Sequence, residues 1–145
     1  MKFMSEIAHG VLWKEKYELG NEQVDGQHRQ LFVLVGKLIE SCELGSDTAK
    51  LKETLDFLVN YTVSHFADEE ILQLRCNYPD YERHKQLHED FKDTALSLVQ
   101  RFEESGSSAE LSRDVNKIIA KWLINHIMRE DKKIGEHIHS ISVHT

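Results

Sequence analysis

DYERHKQLHEDFKDTALSLVQRFEE, residues 80–104, decides the fold. Within it His84, His88, Phe91, Ala95, Leu98 and Phe102 recur at alternating steps of four and three. That is the period of an α-helix with one face against a bundle core. Pro79 stands just ahead of the stretch, and a proline drives the residue before it out of the helical region. A preceding helix must therefore end before Asn77–Pro79. Upstream, Leu51, Leu55, Leu58, Val59, Thr62, Phe66 and Leu72 form the inward stripe of that helix, which starts after Ser46 or Asp47, either of them able to accept a first-turn N–H. Further upstream, Val24 to Glu43 carries His28, Leu31, Phe32, Val35, Leu38, Ile39 and Cys42 on one stripe and stops near Gly45.

Downstream of residue 104, Ser105 to Ser108 read as a loop. Ser107 followed three residues later by Glu110 reads as a capping box for a fourth helix with the stripe Leu111, Val115, Ile118, Ile119, Trp122 and His126. Short loops make neighbouring helices antiparallel. The expected fold is thus all-α, an antiparallel up-down-up-down four-helix bundle, with Trp13 to Asn21 as an N-terminal arm across it. The pattern predicts a single domain over residues 1–145 with its core at about 13–136; the tail after Gly135, EHIHSISVHT, carries no assignable period.

Composition narrows the function. The chain has 145 residues, 40% hydrophobic and 30% charged, with 18 Lys and Arg against 25 Asp and Glu for a net charge of −7. A packed core is within reach, and the scattered basic residues among carboxylates argue against nucleic acid. No apolar run is long enough for a bilayer and Met1 to Gly10 lacks a signal-peptide core, so neither membrane nor export is expected and the chain reads as cytoplasmic. Cys42 and Cys76 stand 34 positions apart, outside any zinc or redox spacing, and read as small core residues.

The unusual number is nine histidines. His28, His65, His84, His88 and His126 lie on or beside the apolar stripes, whereas His9, His137, His139 and His144 lie near the termini. One histidine on an apolar face is ordinarily a satisfied core residue. Five on four helices are not, because the stripes supply too few polar partners for their ring nitrogens. A metal removes the difficulty by taking one nitrogen from each ring. His65 and Glu69 are four apart, as are His84 and His88, and such pairs share a helix face about 6 Å apart. With His28, His126 and Asp131 they make five imidazoles and two carboxylates, too many for one tetrahedral zinc and the number for two metals sharing carboxylates. A nitrogen and oxygen set without thiolates suits iron or manganese, though affinity order alone admits zinc. Glu70, turned away by about 100°, reads as a solvated surface acid. His126 and Asp131 would point about 140° apart on an ideal helix, so the fourth helix is expected to widen to π-type bonding between them.

Trp13, Tyr17 and Gly20, with VDGQH (24–28), HFADEE (65–70), YPDYERHKQLH (78–88) and WLINHIMRED (122–131), resemble the hemerythrin family, in particular bacterial hemerythrins, over roughly Trp13 to Glu136. The resemblance implies two iron ions. His84, His88 and His126 would hold one and His28 and His65 the other, bridged by Glu69, Asp131 and an oxo or hydroxo group. Gln73 stands where bacterial members usually carry Met and Cys76 where Tyr is common, departures that would alter packing or solvent access beside the site.

The implied ligand is O2, or a small anion such as azide in the oxidised form. Leu123, Trp122, Phe32 and Ile127 are the expected apolar wall of its pocket, and no substrate pocket or general acid is evident. Reversible O2 binding for storage, carriage or delivery is the leading expectation. The alternative is an O2 or redox sensing input to a C-terminal effector, of chemoreceptor or diguanylate cyclase type. A di-iron oxidase or peroxidase fits less well, because oxygen-activating bundles use mostly carboxylates with paired Glu-x-x-His motifs.

Overall fold

The computed structural model describes residue 13 and residues 15–43, 48–106 and 108–144. Four long helical rods pack antiparallel, and no strand occurs among the described residues. The first three are α1 (Glu22–Glu43), α2 (Thr48–Arg75) and α3 (Tyr81–Ser105). The fourth is a continuous rod made of α4 (Ala109–Val115), a π segment (Asn116–Ala120), α5 (Lys121–His126), a second π segment (Ile127–Asp131) and α6 (Lys132–His144). Helix α1 packs on α2, α2 on α3, α3 on α4, and the first π segment back on α1, which closes the bundle. Among the described residues no helix is long and apolar enough to cross a membrane.

Local chemistry sets the ends. Asn21 accepts the Val24 N–H through its side chain at 3.0 Å, capping α1. Helix α2 closes in a Schellman turn: Asn77 is left-handed with φ 54°, its N–H reaches Leu74 O, and Tyr78 N–H reaches Gln73 O at 2.9 Å. Pro79 then prevents continuation. Ser108 caps α4, its hydroxyl accepting Leu111 N–H at 3.0 Å. The sequence pattern had favoured Ser107, one residue earlier; Ser107 lies outside the described residues, as do Gly45, Ser46 and Asp47.

The buried face of α3 is His84, His88, Phe91, Ala95, Leu98 and Phe102, as its period requires. Two details differ from the sequence pattern. On α2, Gln73 is fully buried while Leu72 is half-buried, because Gln73 stands one turn beyond Glu69 on the inward line. The polar tail is helical, since α6 buries Ile134 against Leu19, Val24 and Tyr78. A polar layer thus divides the core. On one side lies a large cluster built around Leu31, Phe32, Phe66, Phe91, Ile119 and Leu123; on the other lies the small cluster of Leu19, Val24, Tyr78 and Ile134.

The arm is pinned at both ends of its described course. Trp13 meets Phe32 edge-on with centroids 5.1 Å apart, and Asp25 accepts the N–H groups of Leu19 at 2.6 Å and Gly20 at 3.2 Å. Between them the arm presses on α6 at Gly135, where an added Cβ would stand 3.0 Å from Leu19 Cα and 3.1 Å from its Cδ2. Backbone cannot retreat as a side-chain tip can. Gly135→Val should therefore destabilise the protein by about 1–3 kcal/mol in denaturant titrations. An unchanged midpoint would show that the arm does not need this close approach.

Candidate metal centre

The polar layer consists of His28, His65, Glu69, His84, His88, His126 and Asp131, each at most 5% exposed. Every rod contributes. His28 comes from α1, His65 and Glu69 from successive turns of one α2 face, His84 and His88 likewise from α3, and His126 with Asp131 from the fourth rod. The second π segment, Ile127–Asp131, lies between those last two residues and brings them onto one face, with His126 Nε2 3.1 Å from Asp131 Oδ1. The widening expected from their spacing is present. The first, at Asn116–Ala120, has no such signal in the sequence.

The contacts divide the site in two. His84 Nε2 and His88 Nε2 approach Glu69 Oε1 at 2.9 and 3.3 Å, and His84 and His126 approach Asp131 Oδ1 at 3.0 and 3.1 Å. On the other side His28 and His65 approach Glu69 Oε2 at 3.1 and 3.2 Å, and His28 approaches Asp131 Oδ2 at 3.1 Å. Taken together, Glu69 Oε1 and Asp131 Oδ1 thus face three imidazoles, His84, His88 and His126, while Glu69 Oε2 and Asp131 Oδ2 face two, His28 and His65. Two groups able to hold a cation result, Glu69–His84–His88–His126–Asp131 and His28–His65–Glu69–Asp131, sharing both carboxylates.

Hydrogen bonding alone does not account for this arrangement. Both Asp131 oxygens and His65 Nε2 lie in these short contacts without an aligned hydrogen bond. His88 Nε2 and His84 Nε2 also face His126 Nε2 at 3.2 and 3.1 Å. His65 Nδ1 donates to Gln27 Oε1 at 2.8 Å and His88 Nδ1 to Glu70 Oε2 at 2.8 Å, which leaves both Nε2 atoms as lone pairs aimed inward. Lone pairs converging on carboxylate oxygens and on one another call for cations between them. The donor set fits two metals.

The electrostatics agree. Burial alone would raise the Glu69 pKa, but His28, His65, His84 and His88 outweigh it and hold it well below the carboxylate range. Burial is likewise overcome at Asp131, chiefly by His126 and His28. Conversely, burial opposes charge on His28 and His84, yet the adjoining Asp131 and Glu69 carboxylates raise them to about 9 and about 10. His65 goes down, with burial the leading cause. Two buried carboxylates therefore demand positive charge, and without metal they take it as protons.

Three supporting residues escaped the sequence reading. Glu70 is 15% exposed and holds the outer nitrogen of His88, so it is no solvated surface acid. Gln27 holds His65 and is itself fixed by Asp68 at 2.7 Å. Their only signal was a position directly before or after a ligand, which does not by itself tell a supporting residue from a solvated one. Arg83 pairs with Asp80 at 2.7 Å and with Glu130, tying α3 to the second π segment. Of the residues expected to wall an O2 pocket, Phe32, Leu123 and Ile127 are buried and Trp122 is half-buried, all within or against the large apolar cluster. Trp122 stacks on His126 at 4.5 Å and 10°, and Phe66 on His88 at 3.7 Å and 4°.

Known proteins resemble this chain in sequence and in fold. The sequence model of the hemerythrin HHE cation binding domain matches residues 19–138. A myohemerythrin of Theromyzon tessulatum is 33% identical over 128 residues, 88% of this chain and 93% of the relative. A bacteriohemerythrin of Stenotrophomonas maltophilia is 28% identical over 128 residues, 88% of this chain and 81% of the relative. The crystal structure of wild-type hemerythrin superposes with a TM-score of 0.66 at 29% identity, covering 79% of this chain and 86% of that one. With the family model spanning most of its length and the cation-binding layer built from all four rods, the chain belongs to the hemerythrin family.

Proposed function

We propose that the protein binds O2 reversibly at a non-haem di-iron centre. His84, His88 and His126 would hold one iron and His28 and His65 the other, with Glu69 and Asp131 shared between them and a solvent-derived oxo or hydroxo group expected as the further bridge. The observation that carries this reading is the split of the two carboxylates, Oε1 and Oδ1 toward three imidazoles, Oε2 and Oδ2 toward two. The first group offers five protein donors and the second four, so a metal beside His28 and His65 would have more room for a small ligand. Bound iron supplies the redox chemistry for O2 uptake.

The chain's own residues do the rest. Glu70 and Gln27 orient His88 and His65 through their outer nitrogens, which fixes the tautomer that offers Nε2. Phe32, Leu123 and Ile127 present an apolar, buried wall that excludes water from that space. A ligand entering there meets no general acid among these wall residues, in keeping with binding as the outcome.

Metal and protons compete for the same nitrogens. In the metal-free protein His28 and His84, at about 9 and about 10, carry protons at pH 7 and must lose them to bind iron. Anaerobic titration with Fe(II) at pH 7 should release at least two protons per chain, from His28 and His84 and from the water that becomes the hydroxo group, read in a pH-stat. Affinity should rise with pH until it levels above about 10. The same shifts stabilise the metal-free fold fully below about 6.5, and that stability is lost as pH climbs through about 9 and about 10. Uptake without proton release would contradict the assignment.

Ligand entry has its own test. Azide should bind the oxidised, iron-loaded protein, and Leu123→Trp should slow its entry roughly tenfold or more, since entry then waits on a conformational change. Iron content should stay at about two per chain, because Leu123 is no ligand. Wild-type azide kinetics in Leu123→Trp would remove Leu123 from the wall.

A further inference from the structure

Beneath the metal layer three buried residues carry polar atoms with no partner among the described residues: Gln73 at both Oε1 and Nε2, His28 at Nδ1 and His84 at Nδ1. All three residues are 0% exposed. An inward-facing glutamine with neither end of its amide satisfied is costly, and native cores rarely leave one so.

The unpartnered ring nitrogens stand in the adjoining layer. On the di-iron reading, on which this inference rests, each ligand histidine offers Nε2 to metal and keeps its proton on Nδ1. His65 and His88 have acceptors for that proton in Gln27 and Glu70. His28 and His84 have none, and they are the two rings that touch both Glu69 and Asp131, one on each side of the site. Gln73 lies in the next layer, one turn beyond Glu69 on the same face of α2. Tyr78, whose N–H bonds Gln73 O at 2.9 Å, places its ring 6.2 Å from that of His84, and Val24, one turn before His28, belongs to the same small cluster as Tyr78. This side is opposite the apolar wall of Phe32 and Leu123. A carbonyl with two lone pairs and an amide with two N–H groups match a pair of imidazole donors when water mediates, and buried water makes about three such bonds. The ligand is neutral: an anion would face Glu69 and Asp131, and a cation would face the N–H edges.

We propose that Gln73, His28 and His84 form a buried hydration site under the metal centre, with the Gln73 carbonyl as the final acceptor for the Nδ1–H groups of both rings. Gln73 is thereby a positioning residue for one histidine of each iron. An acceptor on Nδ1–H raises imidazole basicity and favours the ferric state.

A high-resolution crystal structure of the iron-loaded protein should show water bonded to the Gln73 amide and to Nδ1 of His28 or His84. A Gln73 amide turned onto protein groups with no water overturns the proposal. Gln73→Leu should bind Fe(II) about tenfold or more weakly and shift the midpoint potential of the di-iron couple upward. Gln73→Glu restores an acceptor and should bring the potential to the wild-type value or below it. A merely structural glutamine predicts no change in potential for either variant. If Gln73→Leu does not fold, Gln73→Met, of similar length and without a carbonyl, takes its place. Two irons with an unchanged potential in Gln73→Leu or Gln73→Met sink the hydration site alone, whereas a wild-type protein that takes up no iron sinks the di-iron reading and the site with it.

Discussion

Two carboxylates with no route to water govern this structure. Glu69 and Asp131 are at most 1% exposed, and each presents both oxygens to imidazole nitrogens. A buried ionised carboxylate is tolerated only where opposite charge or metal meets it. That requirement calls for donors from every side, and four rods crossing one layer supply them. The bundle's geometry follows: each rod must place its donor at one height, and the apolar core must stop on either side of it.

The two halves of the layer are supported differently. His88 rests on an anionic carboxylate, Glu70, whereas His65 rests on the neutral amide of Gln27, which a second residue, Asp68, holds in place. Aromatic faces add to the asymmetry. Phe66 covers His88 and Trp122 covers His126, both on the three-histidine side. The three-histidine group is therefore supported by stacking and a carboxylate, while the two-histidine group is supported by a neutral amide.

Much of this was legible in the chain because it rests on spacing. The α3 stripe from His84 to Phe102 needed only its period, and the α2–α3 break needed only Pro79. The misfit of His126 and Asp131 announced a widened turn, since five residues cannot share a face on a regular helix. Other features rest on relations across the fold, which spacing does not encode. Glu70 looked like a surface acid because its partner His88 lies on another helix. The first π segment, around Asn116, packs on α1, and α6 buries Ile134 against Leu19, Val24 and Tyr78, contacts between elements far apart in the chain. The choice of Ser108 over Ser107 as cap was a one-residue ambiguity between identical side chains.

The second π segment also sets the angular phase of everything after it. Closing it to regular α bonding with every residue kept would not merely misplace a carboxylate; it would turn all of α6 about its axis relative to the other rods. Gly135 would leave the arm's backbone, and Ile134 would rotate out of its cluster with Leu19, Val24 and Tyr78. Cation site and arm docking therefore share one clock. What α6 depends on is the widened turn itself, which places Asp131 beside His126 and Ile134 in its cluster at the same time.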